Sequence, residues 1–363
     1  MRIVSPFLKK IVYPALSKSG LFHRLPADGL AVVTYHGVLP PGYEPIDPAL
    51  DGNLITSESL RRQLRLLKTH YNVVAPEDFL ASREGKRELP RRAVLVTCDD
   101  GLLNCFTDML SVLEQEGVKC LFFVTGSSAV STPATLWYED LFRAFLQAPA
   151  GSYEISRGSL AIQIELTSLP CRRAAWWSSV KRLSQVGGEV RSSFLEAARA
   201  RLGVNPESEF ETRNSSLCRR FALLKAEELL ALSAAGMTIG AHTLTHPILS
   251  LAPPAMAYAE IAESRARLEL LLNNRVWAFA YPFGDPQSVT PQVLLMPKDA
   301  GFAAAFLNHG GGLGADLPDF ALPRLHVTST MSLSEFDAHV SGFYAWMQRA
   351  SHQHSRNAGL VEA

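Results

Sequence analysis

Two adjacent carboxylates end an apolar run in the motif TCDDG, residues 97–101. The chain turns where a strand ends, so the side chains of Asp99 and Asp100 can face one cavity. Two close carboxylates repel each other unless a cation or a shared proton lies between them. One solution is that one aspartate binds a metal ion while the other acts as a base. The alternative is an Asp-Asp-Gly turn with solvated side chains.

A pair of histidines in the motif HTLTH supplies further ligands for such a cation. Imidazoles four residues apart lie on one face of a helical turn, so both can reach one ion. Pro247 restricts His246 towards extended geometry, which places the pair in a loop. Asp100, His242 and His246 then form a two-histidine, one-carboxylate site that leaves positions for water and substrate, as in catalytic zinc sites. Asp99 is left free to accept a proton.

The elements around these residues alternate between strands and helices. Seven nearly continuous apolar runs resemble buried parallel strands and begin at Leu30, Ala93, Lys119, Met237, Val276, Phe302 and Ala321. Helical patterns lie between most of them, at residues 57–70, 104–116, 225–235, 254–272 and 291–299. This alternation predicts a closed or nearly closed β/α barrel. The aspartates and histidines fall at strand ends, where such barrels build their active sites.

The stretch 127–220 interrupts the alternation, and we expect it to be an insertion between two barrel units. It contains the helical segment WYEDLFRAFLQ, a strand pair near 153–166 and basic, aromatic helical material after that pair. We expect a lid or rim subdomain with helices of its own. The barrel would then span 29–340, between an N-terminal amphipathic segment at 1–28 and a polar C-terminal tail at 341–363.

Bulk composition bears on partners and location. The 35 basic and 35 acidic side chains give a net charge of zero, which argues against nucleic acid as a partner. Five widely spaced cysteines without a CxxC motif favour reduced thiols in the cytoplasm. The segment 1–28 has basic residues and an apolar face but no continuous signal-peptide core. It predicts a helix packed on the domain core or, alternatively, peripheral contact with the inner face of a membrane.

The order and spacing of TCDDG, HTLTH, YPFG and a terminal LxH resemble the polysaccharide deacetylase family. The resemblance implies an α/β fold, a distorted seven-stranded β/α barrel that here carries a helical insertion. It also implies a divalent metal, usually zinc, and an acetylated amino-sugar glycan as substrate. In this family pattern Asp99 is the catalytic base, and Asp100, His242 and His246 are the metal ligands.

The motif FAYPFG, residues 279–284, resembles the family's groove wall. The resemblance assigns Tyr281, Pro282 and Phe283 to the substrate groove, with a backbone N–H near Phe283 as the oxyanion contact. The family's usual arginine, which holds the base, is replaced here by Ala280.

The LxH motif makes His326 the expected general acid for the leaving amine; the alternative is a strand histidine that faces the core or solvent. Strand alternation puts Arg324 on the same face as His326. Arg324 is therefore a candidate to replace the missing guanidinium and pair with Asp99, although it is also explained as a surface arginine or one that anchors the insertion. His36, in TYHGV, also ends a strand, where it lines the groove or serves a structural role.

Together these residues predict a metal-dependent hydrolase that removes N-acetyl groups from a polysaccharide or its precursor and releases acetate. One alternative is a non-catalytic glycan-binding or assembly protein on the same barrel, which would usually have lost Asp99 or a metal ligand. The other is an amide hydrolase that acts on a small molecule or a nucleotide-linked sugar. A capped pocket would favour this small substrate, and an open groove would favour a polymer.

Overall fold

A computed structural model describes residues 6–24, 29–129, 135–210, 212–314 and 317–347. The strands, numbered in chain order, are β1 (Leu30–Tyr35), β2 (Asn72–Val74), β3 (Ala93–Cys98), β4 (Leu121–Val124), β5 (Ser152–Arg157), β6 (Leu160–Glu165), β7 (Thr238–Ala241), β8 (Ala278–Ala280), β9 (Ala304–Gly310) and β10 (Leu322–His326).

The α-helices are α1 (Tyr13–Lys18), α2 (Leu21–Arg24), α3 (Pro48–Asp51), α4 (Ser57–His70), α5 (Pro76–Arg83), α6 (Leu110–Glu116), α7 (Trp137–Gln147), α8 (Leu169–Leu183), α9 (Gly188–Leu202), α10 (Ser216–Phe221), α11 (Ala226–Ala234), α12 (Pro254–Leu272), α13 (Pro291–Asp299) and α14 (Leu333–Val340). π-Helical turns precede α1 and α6, at Leu8–Val12 and Cys105–Met109. Short 3₁₀ turns occur at Gly126–Ala129, Pro206–Glu209 and Leu249–Leu251.

Seven parallel strands close into a barrel in the order β1, β10, β9, β8, β7, β4 and β3, and β1 pairs with β3 to complete the ring. They are the seven strands predicted from the apolar runs, so the predicted barrel is confirmed. The short strand β2 pairs with the N-terminal half of β3, outside the ring. Its three residues are too few, and too exposed, to give an apolar run.

The strands are apolar throughout because both of their faces are buried. Along β1, Leu30 and Val32 belong to a cluster of strand residues that fills the barrel interior. The alternate residues Ala31, Val33 and Tyr35 pack in the layer between the barrel and its helices. Side chains that share the parity of Leu30 therefore point inward. This parity decides which residues at the strand ends can reach the active site.

The described residues of the stretch 127–220 form a helical subdomain with its own apolar core. It contains α7, the antiparallel hairpin β5–β6, and helices α8 to α10. Its core includes Phe142 and Phe194, and Tyr43 from the loop after β1 packs against it. The guanidinium of Arg220 in α10, wholly buried, donates to Asp51 at 2.7 Å and to Glu139 at 2.9 Å. This buried ion-pair network joins the subdomain to the barrel.

The N-terminal helical segment, residues 6–24, which we call the N-terminal helix, packs against α14 at the edge of the barrel. Tyr13 and Phe22 are fully buried there, and Phe343, from the predicted C-terminal tail, packs against them. The outer side of the helix leaves Phe7 and Ile11 more than half exposed. None of the described helices is long and apolar enough to cross a bilayer.

Candidate active site

The site is the top layer of the barrel interior, at the carboxyl ends of the strands. His36, Asp99 and His326 continue the inward parity of β1, β3 and β10. These strands are neighbours in register, since Thr34 pairs with His326 on one side and Thr97 on the other. Strand pairing therefore brings residues from three distant segments to one rim.

Asp100 joins this layer only because the backbone turns. By strand parity its side chain would face the helices. Its φ of 77° and the φ of 73° at Gly101 lie in the left-handed region, which bends the chain directly after Asp99. A Cβ at Gly101 would also lie 3.0 Å from the side chain of Val124. The glycine of the DDG motif is thus required by both conformation and space.

Asp100, His242 and His246 form a buried cluster, which we call the metal triad. One ligand atom from each lies within 4.8 Å of the others, and among the described residues they are the group that can hold a metal ion. An Asp100 oxygen lies 3.5 Å from Nε2 of His242 and 3.3 Å from Nε2 of His246. The two Nε2 atoms are 3.2 Å apart. This compact N,N,O set suits a divalent ion such as zinc.

The hydrogen bonding of His242 and the pKa values of His246 and Asp100 also favour a bound cation. Nδ1 of His242 lies 2.8 Å from the backbone oxygen of Ala280, which can only accept, so Nδ1 carries the proton and Nε2 presents a lone pair to the cluster. Burial lowers the pKa of His246. Burial opposes ionisation of Asp100, but its interactions with His242 and His246 hold its pKa well below the usual value. These are the protonation states that metal binding needs.

The HTLTH loop is strained and is held by its own side chains. Thr243 and His246 have positive φ values of 62° and 59°. The Thr243 hydroxyl accepts from the His246 N–H at 2.9 Å, and the Thr245 N–H donates to Glu260 at 2.7 Å. The pair lies in a loop, as predicted, but the positive φ of His246 differs from the extended backbone that Pro247 predicts. Backbone strain of this kind persists only where surrounding contacts fix the conformation.

Asp99 is held by Arg324, which the sequence offered only as a candidate. The two terminal guanidinium nitrogens of Arg324, Nη1 and Nη2, donate to the two oxygens of Asp99 at 2.7 and 2.5 Å. Arg324 is fully buried, lies over the ring of Phe123 inside the barrel, and donates through Nε to Leu307 at 2.7 Å. The alternative of a surface arginine is therefore wrong. The bidentate geometry fixes the direction of the carboxylate.

The charge of Arg324 also sets the acidity of Asp99. Burial alone would raise the pKa of Asp99, but Arg324, together with His242 and His36, outweighs it and holds the pKa below the usual value. Asp99 is ionised over the neutral range and available as a proton acceptor.

His326 and His36 lie side by side at the rim, with ring centroids 4.8 Å apart. Nε2 of His326 and Nδ1 of His36 are buried and have no hydrogen-bond partner among the described residues. Burial, followed by the charge of His36, lowers the pKa of His326 to about 3. His326 is thus neutral at rest and must gain a proton before it can act as an acid.

The groove-wall motif, residues 279–284, places some of its side chains in the core and others at the site. Tyr281 has outward parity, is fully buried, and donates its hydroxyl to Phe320 at 2.9 Å, so it does not line a groove. Strand alternation from Phe279, applied to this motif, would have given that result. Pro282 is buried, whereas Phe283 is half-buried at the site with a positive φ of 62°. Its ring centroid lies 5.1 Å from that of His246.

Residues of the insertion also reach the site, among them Tyr138 and Arg191, which belong to no motif singled out in the sequence. The Tyr138 ring lies 5.0 Å from that of His246. Burial, and then the charge of Asp100, raise the pKa of Tyr138 well above its usual value, so its phenol stays protonated. Arg191, buried in α9, donates to the Thr245 hydroxyl in the HTLTH loop at 2.8 Å.

Comparison with known proteins identifies the family of this chain. The sequence pattern of the family described as polysaccharide deacetylase matches residues 86–192 and 203–305, more than half of the chain. The chain belongs to the polysaccharide deacetylase family. The assignment made from its motifs, to this family and to its class of carbohydrate deacetylases, is confirmed. No curated protein matches it in sequence.

Solved structures share the fold at low identity. The deacetylase PplD of Streptococcus pyogenes, in complex with acetate, is 15% identical with a TM-score of 0.52, covering 86% of this chain and 99% of that one. IcaB from Ammonifex degensii is 19% identical with a TM-score of 0.53, covering 86% and 97%. A de-N-acetylase from Aggregatibacter actinomycetemcomitans is 12% identical with a TM-score of 0.51, covering 86% and 100%.

The contact between Arg324 and Asp99 predicts a change in pH dependence. In Arg324→Met the carboxylate loses a positive neighbour, so its pKa rises. Because a base must be unprotonated, the acidic limb of the pH–rate profile should move to higher pH. Arg324→Lys keeps the charge without the bidentate geometry, so it should shift the limb less.

Loss of a buried partner also costs about 3–5 kcal/mol of stability. The profiles should therefore be measured on protein whose melting curve shows a folded state. A folded Arg324→Met variant with the wild-type profile would remove Arg324 from control of the base.

Proposed function

We propose that this protein is a metal-dependent hydrolase that removes N-acetyl groups from an amino-sugar-containing glycan and releases acetate. One observation carries the proposal: the Asp99 carboxylate, oriented by Arg324, lies beside the buried metal triad. A general base next to a cation site with open ligand positions is the arrangement that activates water for amide hydrolysis.

Asp100, His242 and His246 would hold a divalent ion, with zinc as the expected ion. When bound, the ion would supply a Lewis acid for the acetamide carbonyl and would lower the pKa of water. The imidazole of His242 is oriented for this role by the Ala280 carbonyl.

Asp99 would accept the proton of the attacking water. Arg324 keeps both carboxylate oxygens in place, so no reorientation is needed as the proton moves. Within the described part of the chain, the N–H of Phe283 has no hydrogen-bond partner, which supports the oxyanion contact proposed for this segment. The left-handed φ of Phe283 is a strained conformation of the kind found at functional sites.

His326 would donate the proton that releases the amine. Because its pKa is about 3, the imidazole must take that proton during the reaction rather than carry it at rest. Its free Nε2 is the atom available for this transfer.

The alternative of a catalytically silent barrel is disfavoured, because the base and all three ligands are present and converge. A capped pocket would favour a small-molecule amide hydrolase. The insertion supplies a wall of aromatic side chains at the site, which suits a sugar substrate.

Two variants should distinguish metal binding from catalysis. The protein with zinc should remove acetyl groups from an acetylated amino-sugar oligomer, as detected by mass spectrometry. Asp99→Asn should retain zinc and lose turnover by about 10²–10⁴-fold, because it keeps shape without basicity. His242→Ala should lose zinc and activity together. Wild-type turnover in Asp99→Asn would refute the base, and full zinc in His242→Ala would remove that ligand.

The role of His326 is tested through the leaving group. In His326→Gln, kcat should fall more for a sugar amine than for an activated anilide, because the anilide leaves with less protonation. Equal losses on both substrates would indicate that His326 is structural.

We also propose that the N-terminal helix touches the inner face of a membrane. Its apolar side chains Phe7 and Ile11 are 59% and 56% exposed, and Lys10 and Lys18 are exposed nearby. An apolar face with basic flanks favours anionic lipid surfaces. The protein should sediment with vesicles that contain phosphatidylserine, and a variant with serine at Phe7 and Ile11 should not. Equal sedimentation of the two proteins would contradict the contact.

A further inference from the structure

A series of aromatic rings leads from a metal-triad histidine to the exposed surface of the insertion. Phe283 and Tyr138 lie beside His246, with centroids 5.1 and 5.0 Å from it and 5.6 Å from each other. Trp177 in α8 packs its ring against Phe283 at 5.7 Å, nearly perpendicular at 71°. Tyr138, Phe283 and Trp177, which we call the aromatic platform, therefore connect the reacting centre with solvent.

The two adjacent tryptophans of α8 have different environments. Trp176 stacks on Phe142 in the core of the insertion at 4.7 Å, and its N–H donates to the carbonyl of Tyr138 at 2.7 Å. Packing of the insertion accounts for Trp176. Trp177 is 39% exposed although it adjoins the site. Single exposed aromatic residues are common, but this one continues a series of rings that ends at a metal ligand.

The aromatic platform is fixed relative to the metal triad. The indole N–H of Trp137 donates to the carbonyl of His246 at 3.2 Å. Arg191 donates to Thr245 at 2.8 Å and lies over the Trp137 ring. The Ser184 hydroxyl, directly after α8, accepts from the Ile248 N–H at 3.0 Å. The insertion is thus bonded along the HTLTH loop, so Trp177 stays at a set position from the reacting atoms.

We propose that the aromatic platform is a sugar-binding subsite, in which Trp177 stacks on a pyranose ring next to the sugar that loses its acetyl group. The C–H faces of a pyranose are apolar, and a rigid aromatic ring covers them at a low entropic cost. The substrate class is therefore a glycan of at least two residues. The inference rests on the proposed deacetylase function and assigns the insertion a role in substrate choice.

The test compares an N-acetylglucosamine pentamer with the monomer. Trp177→Ala should raise KM for the pentamer by about 2- to 12-fold, which corresponds to the loss of one aromatic contact. The effect on the monomer should be smaller, and Trp177→Phe should restore most of the pentamer affinity. Trp346→Ala is the matched control, because Trp346 is also an exposed tryptophan but packs against Phe343, outside the site.

Equal losses on pentamer and monomer, or an unchanged pentamer KM in Trp177→Ala, would overturn the subsite. If wild-type protein with zinc deacetylates neither sugar, the proposed function fails, and the subsite is judged by calorimetric titration with the pentamer. Weaker pentamer binding by Trp177→Ala than by Trp346→Ala would then support the subsite. Absence of pentamer binding by the wild type, or equal binding by both variants, would refute it.

Discussion

The ion pair between Arg324 and Asp99 is the interaction on which the rest of the site depends. A charge buried inside a barrel must be matched, because desolvation of an unpaired ion costs several kcal/mol. Arg324 lies on β10 and Asp99 directly follows β3, and these are the strands on either side of β1. Closure of the ring places them within bidentate reach, and the pair in turn orients the carboxylate next to Asp100. Closure of the barrel thus both stabilises the buried charge of Asp99 and orients its carboxylate.

Backbone strain is concentrated around this pair. Asp100, Thr243, His246 and Phe283 are four of the non-glycine residues with positive φ in the described chain, and all four lie at the site. Such conformations cost of order 1–3 kcal/mol each and persist where other contacts over-determine them. Here the contacts come from the barrel below and from the insertion above. The insertion therefore helps to fix the metal ligands as well as to surround them.

The strand and helix pattern could be predicted from the sequence because it depends on local periodicity. The helices α4, α12 and α13 begin and end where the pattern indicated. Strand alternation put Arg324 on the same face as His326, and the missing family arginine made it a candidate partner for Asp99; only the structure shows that this face points into the barrel. Tyr281 was placed wrongly because a strand end was treated as a rim without regard to parity. The contacts made by Tyr138 and Arg191 could not be predicted, because they join distant segments that share no motif.

The barrel positions the reacting groups and the insertion contacts the substrate, and this difference follows from how each part is packed. The inner-face residues of the strands are fixed by pairing and by the buried ion pair, so a change there disturbs closure and chemistry together. The insertion has an apolar core that includes Tyr43 and Leu50 from the loop after β1, and it also meets the barrel through polar contacts, of which those of Arg220 and Arg191 are buried examples. Its outer face, which includes Trp177, can therefore change without repacking the barrel. Substrate range can vary on that face while the geometry around Asp99 and the metal triad stays constant.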